Sequence, residues 1–124
     1  MILGSVNPSG EAIVPLQVRG PRGAKAEFQA VVDTGYNDWL AIPRTAIEAL
    51  GLPFREEGRY VLADGVEVHT LIFAAEAQWF GRWRPILVGE MEGGPLLGMA
   101  LLRGYFLGVE VIDGGRVDIR PLAG

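Results

Sequence analysis

The sequence predicts a mainly β fold, barrel-like or sandwich-like, with one or two short helices and a single domain over residues 1-124. Three observations carry that expectation. The 18 glycines and 8 prolines are spread along the chain instead of massed in one tract, so they punctuate short elements. Ala24, Ala26, Phe28 and Ala30 alternate with Lys25, Glu27 and Gln29, a period-two pattern that leads into Val31-Val32. Asp64-Gly65 and Asp113-Gly114 each stand between apolar runs, the short-range signature of a tight hairpin.

Taken in order, Ile2-Leu3 and Ala12 to Val18 flank the turn cluster Asn7-Pro8-Ser9-Gly10 and read as strands. Gly20-Pro21-Arg22-Gly23 turns the chain into the alternating strand that ends at Val32. Trp39 to Ile42 is a short strand. Pro43 then opens a helix through Ile47 and Leu50, which Gly51 stops. Tyr60-Val61-Leu62 and Val66-Glu67-Val68 form a hairpin around Ala63-Asp64-Gly65, continuing to Leu71-Ile72-Phe73. A second hairpin joins Ala75–Trp79 to Trp83–Val88 around Gly81. Gly93-Gly94-Pro95 breaks the chain before Leu96 to Leu102, a turn followed by a short helix. Tyr105–Ile112 and Arg116–Ile119 close the chain as a last hairpin. The expected total is eight or nine strands and two short helices.

Composition removes several kinds of chemistry. Without cysteine there is no disulfide framework, thiolate metal site or cysteine nucleophile. His69 is the only histidine, so a multi-histidine zinc site and a histidine relay both lack parts. The net charge is −4, and the largest basic cluster is Arg82-Trp83-Arg84, which argues against nucleic acid as a partner. No apolar stretch approaches the length of a membrane span. Met1 to Ser5 lacks the basic start and apolar core of a secretion signal. A soluble, cytoplasmic protein that needs no metal or cofactor is expected.

The chemistry-bearing motif is Asp33-Thr34-Gly35. The tripeptide alone arises by chance on the order of a few per cent of the time in a chain this long. Its context adds weight. Val31 and Val32 hold the carboxylate at the end of a strand, Gly35 permits a tight turn with its N–H near the carboxylate, and Thr34 supplies a hydroxyl to pin the loop. Downstream, Leu96-Leu97-Gly98 suits a strand packed beneath that loop and turning sharply into Met99-Ala100-Leu101-Leu102. The structural alternatives are a turn aspartate for Asp33 and hairpin turns for Asp64 and Asp113. Asp38 reads as a loop residue, His69 as a strand residue, and Glu56-Glu57 as a solvated face. Trp79, Phe80 and Trp83 read as core packing or a dimer contact.

Val31-Val32-Asp33-Thr34-Gly35-Tyr36, Leu40-Ala41-Ile42-Pro43, Leu62-Ala63-Asp64-Gly65 and Leu96-Leu97-Gly98-Met99 follow one another in an order and spacing that resembles the bacterial and archaeal single-domain, retropepsin-like aspartic proteases. The resemblance covers nearly the whole chain, to Gly115-Arg116-Val117-Asp118-Ile119. It implies the closed β-barrel of the retropepsin-like acid proteases and a homodimer acting on a peptide or protein substrate. Asp33 would be the catalytic carboxylate, Thr34 would hydrogen-bond across the dimer interface, and Gly35 would sit beside the carboxylate. Ala63, Asp64 and Gly65 would form the flap over bound peptide, while Leu96, Leu97 and Gly98 support the active-site loop. Terminal strands at Ile2-Leu3 and Val117 to Leu122 are candidates for the interface. Tyr36 departs from the Ala or Ser of the better-known members, and the flap lacks a glycine-rich tip. A single Asp-Thr-Gly per chain requires two chains for a two-carboxylate site, with activity bell-shaped in pH and highest below neutrality. The same fold also admits a catalytically silent dimer that binds peptides or a partner protein.

Overall fold

The computed structural model describes residues 1–123; Gly124, the last residue of the predicted domain, lies outside the described residues. The chain is mainly β, with two short helices. Its elements are β1 (Ile2–Val6), β2 (Ala12–Arg19), β3 (Lys25–Val32), β4 (Leu40–Ile42), α1 (Arg44–Leu50), β5 (Phe54–Val61), β6 (Glu67–Trp79), β7 (Arg82–Glu90), β8 (Leu96–Leu97), α2 (Met99–Leu102), β9 (Tyr105–Val109) and β10 (Arg116–Pro121).

The strands join in the order β5-β6-β7-β4-β8-β3-β2-β1-β10-β9, and an extra β2–β6 pairing closes β6-β7-β4-β8-β3-β2 into a ring. Two features of the sequence drive this closure. Strand alternation turns Val14, Leu16 and Val18 of β2 to one side, where all three are buried. β6 is 13 residues long, enough to pair with β5, β7 and β2 along its length. Inside the ring, those β2 residues pack with Ala77 and Trp79 of β6, Val88 of β7, Leu40 and Ile42 of β4 and Leu97 of β8. Each such buried aliphatic side chain contributes about 2 kcal/mol relative to exposure. Trp79 adds edge-on aromatic contacts to Phe80 and Tyr105, with ring centroids at 5.3 and 5.5 Å.

The period-two pattern before Asp33 does form β3, in register with β2 from Ile13↔Val31 to Arg19↔Lys25. Pro43 is the N-cap of α1, and Gly51 ends it in the left-handed region at φ 62°, its N–H reaching the Glu48 and Ile47 carbonyls. Ile47 and Leu50 bury the inner side of this helix.

The described residues form ten strands, more than the expected eight or nine. β5 starts at Phe54, so the solvated face at Glu56-Glu57, exposed as expected, belongs to a strand. Almost every residue of β5 is exposed, so no inward apolar set announces it. The two middle hairpins share one continuous strand, β6. β9 ends at Val109, short of the expected Ile112, because the backbone turns there and the Glu110 carboxylate accepts the Arg116 N–H at 2.9 Å. The terminal strands pair with each other: β1 runs antiparallel to β10 from Ile2↔Ile119 to Ser5↔Arg116. β10 has β9 on its other edge, so both of its edges are filled within one chain.

Among the described residues, no helix is long and apolar enough to cross a membrane.

Candidate active site

Asp33 sits one residue past the end of β3, where three neighbouring segments fix the backbone. Its N–H donates to the Leu97 carbonyl at 2.9 Å, and its own carbonyl accepts the Tyr36 N–H at 3.1 Å. β3 lies parallel to β8 through Val31↔Leu96 and Val32↔Leu97, and β8 lies antiparallel to β4 through Leu40↔Leu97 and Ala41↔Leu96. The chain thus leaves the sheet at Asp33 and returns at Leu40, with β8 filling the space between. Burial of Leu40, Leu97 and Ala41 makes this floor rigid.

Gly98 is where the arrangement is tightest. A Cβ there would stand 2.1 Å from the Asp38 carbonyl oxygen and 2.6 Å from the Tyr36 ring. Gly98 N–H donates to Trp39 O at 3.0 Å, and Met99 N–H to Tyr36 O at 2.8 Å. Leu96-Leu97-Gly98 therefore does lie beneath the Asp33 loop, tied to it by main-chain bonds on both sides.

The carboxylate itself is half-buried. Gly35 donates its N–H to Asp33 Oδ1 at 2.9 Å and so orients the group. Thr34 and Gly35 are exposed at the tip of the turn. Asp33, Gly35 and Leu96 line an open cleft of about 480 Å³, whose other walls include Asp38, Tyr60 and Met91. The β5–β6 hairpin faces Asp33 across this cleft with Arg59, Tyr60 and Val61. Ala63, Asp64 and Gly65 form the turn of that hairpin, which Asp64 Oδ1 stabilises by accepting the Val66 N–H at 3.0 Å. These three are exposed and stand beyond the residues that line the cleft.

A smaller pocket of about 70 Å³ continues from the cleft beneath the hairpin, bordered by Tyr36, Trp39, Tyr60, Ile72 and Glu90. Tyr36 lines both spaces. Its hydroxyl donates weakly to the Leu40 carbonyl at 3.5 Å. Burial, and then the negative charge of Asp38, push its ionisation well above the ordinary tyrosine value of 10.0. Because the folded state holds this proton more tightly, the associated stability is fully present below the unfolded-state value and is lost as pH rises towards the folded one. An ultraviolet titration should therefore show one tyrosine ionising late, and Tyr36→Phe should remove that late component. A late component that survives Tyr36→Phe would put the protected hydroxyl elsewhere.

Of the remaining sequence candidates, Asp38 lines the same cleft as Asp33 and is exposed, and its carbonyl accepts the Ala100 N–H at 3.2 Å. His69 lies on β6 with Nδ1 2.6 Å from Glu57 Oε1 on β5. Among the described residues, no group of three His, Cys, Asp or Glu side chains is placed to hold a metal ion. The sequence singles out neither Arg59 nor Met91, and places Val61 in the hairpin without a role at the site. None of them carries a motif; the fold of the hairpin brings Arg59 and Val61 opposite Asp33, and Met91 reaches the cleft from the end of β7, its N–H bonded to Ile42 of β4.

No protein-family model matches the sequence, and no curated protein is significantly similar to it.

Proposed function

We propose that two copies of this chain together form an aspartic endopeptidase of the retropepsin-like kind, with one Asp33 from each copy. The observation that carries the proposal is the Asp33 carboxylate, oriented by the Gly35 N–H at 2.9 Å and opening onto a cleft under a two-stranded hairpin. The closed strand ring would be the barrel of that fold, the β5–β6 hairpin its flap, and β8 with Gly98 the support of the catalytic turn.

The chemistry needs two carboxylates that share one proton. The ionised Asp33 takes a proton from water as the water oxygen attacks the peptide carbonyl carbon. The protonated Asp33 of the second copy gives its proton to the carbonyl oxygen. Collapse of the tetrahedral intermediate returns that proton to an aspartate, while the other aspartate protonates the departing amine. One chain offers half of this machinery, and the exposed Thr34 and Gly35 leave the turn open for a two-fold partner, across which Thr34 would hydrogen-bond.

Sedimentation equilibrium at acidic and neutral pH tests the arrangement first. A reversible dimer is expected. A strict monomer at all concentrations would leave each Asp33 without its counterpart, and the two-chain site would fall. Within a dimer, peptide binding without cleavage would favour a silent binding module of the same fold.

A further inference from the structure

A second cleft, of about 490 Å³, lies at the start of β7 and belongs to none of the chemistry above. Four consecutive β7 residues, Arg82 to Pro85, line one wall, and Arg103 and Tyr105 stand on another. Successive strand residues point to opposite faces, so four in a row can border one cleft only along the strand's edge. The pairing pattern agrees. One edge of β7 is joined to β6 from Arg82 to Gly89, whereas β4 covers the other only at Val88–Glu90. Among the described residues, no strand covers the edge from Arg82 to Leu87 on that side. Met91 donates its N–H to Ile42 in β4, and odd-numbered residues share that side of the β7 backbone. Pro85 is odd-numbered, and an uncovered edge is where its missing donor costs least. Trp83 N–H and the Trp83 and Pro85 carbonyls then face the cleft.

The charge around this edge is one-sided. Arg82, Arg84 and Arg103 form no ion pair among the described residues, and no carboxylate lines the cleft. Three guanidiniums are left uncompensated in a chain whose net charge is −4. The Arg84 guanidinium rests 4.8 Å above the Trp39 ring, which positions it without using its donors. Arg19 and Lys25, from β2 and β3, lie over the Trp83 ring at 4.2 and 5.7 Å outside the cleft, and Arg19 is already paired with Glu76 at 2.9 Å, so the cleft's own charge comes from Arg82, Arg84 and Arg103.

We propose that this edge of β7 docks an extended acidic segment of another protein as an added strand. Main-chain hydrogen bonds hold the segment, and its alternate carboxylates meet the arginines. Arg82 and Arg84 share one face about 7 Å apart, the spacing of alternate side chains on a paired strand. Bidentate guanidinium–carboxylate pairs supply the selectivity for acidic over basic partners.

Fluorescence anisotropy of a dye-labelled peptide alternating Glu and Val, added to the full chain, tests this. Saturable binding is expected, weakening with salt and falling at least about tenfold in the Arg82→Gln/Arg84→Gln/Arg103→Gln variant. The same peptide with alternate amides N-methylated should lose binding to a similar extent, because its charge is kept and its strand hydrogen bonds are not. Equal binding of a Lys–Val peptide would overturn the proposal, as would an unchanged affinity of the triple variant or of the methylated peptide. Displacement by inorganic tripolyphosphate as readily as by unlabelled peptide would reduce the cleft to a general anion trap and overturn strand docking. Self-association of the wild type that the triple variant abolishes would assign the edge to a second copy instead. Asp33→Asn protein should bind as the wild type does, so failure here and failure of the proposed hydrolysis are read separately.

Discussion

Asp33→Asn is expected to lower peptide hydrolysis by about 10⁴-fold, because both the base and the acid of the proposed two-chain site would be lost at once. The substitution is nearly isosteric, and its amide oxygen still accepts the Gly35 N–H that Oδ1 accepts at 2.9 Å. Thermal midpoint and dimer dissociation should therefore stay close to those of the wild type, which separates loss of chemistry from loss of fold. Asp38→Asn is the informative companion, since Asp38 lines the same cleft. With a dyad formed between chains, it retains most of the activity. If Asp38→Asn abolished cleavage as fully as Asp33→Asn, the two carboxylates of one chain would be the reacting pair. Wild-type turnover by Asp33→Asn would sink the aspartic mechanism altogether.

The second large effect is on stability. Gly98→Val should cost at least about 3 kcal/mol of unfolding free energy, read from the midpoint of urea denaturation. The reason is backbone overlap and not a lost contact. The Cβ of any side chain at Gly98 meets the Asp38 carbonyl oxygen at 2.1 Å, and main chain cannot swing aside as a side chain does. Relief would require the Tyr36–Trp39 loop to lift from β8, which releases the bonds from Gly98 and Met99 to that loop and displaces Asp33 with it. Activity should fall even where the variant remains folded. Gly35→Ala makes a graded comparison, because a Cβ there meets only Asp33 Oδ1, at 3.3 Å. A Gly98→Val protein as stable as the wild type would mean that the loop and β8 are not packed as described.

The parts of this fold that were legible in the sequence are those whose cause is local. β3 alternates because one face is turned inward, α1 is bracketed by Pro43 and Gly51, and Asp64-Gly65 closes its own turn. Leu96-Leu97-Gly98 could be set beneath Asp33 because two bulky apolar residues followed by a glycine describe a close approach. The end of β5 was legible as the Tyr60-Val61 arm of the hairpin, but its start from Phe54 to Arg59 escaped because exposure of nearly all its residues leaves no period to detect. The unbroken course of β6 escaped because its residues serve β5, β7 and β2 in turn, and their polarity follows the changing partner. The same limit applies to the cleft. Asp33 and Gly35 carry a motif, whereas Arg59, Val61 and Met91 owe their place to long-range pairing alone. Trp79 and Trp83 illustrate it in miniature. Four residues apart and read together as one aromatic cluster, they divide, with Trp79 buried against Tyr105 and Trp83 under the cations of β2 and β3.

The pairing of β1 with β10 bears on how fast the molecule assembles. Ile2 meets Ile119, so this ladder joins segments that lie far apart in sequence. Loop closure on that scale is among the costliest entropic steps a domain of this size takes, and topologies rich in such contacts fold in milliseconds to seconds, not microseconds. During synthesis, β1 must wait with an open edge until β10 has left the ribosome, while β2 and β3 can form their hairpin early. The step that completes the sheet is then also the one most exposed to mispairing between nascent chains.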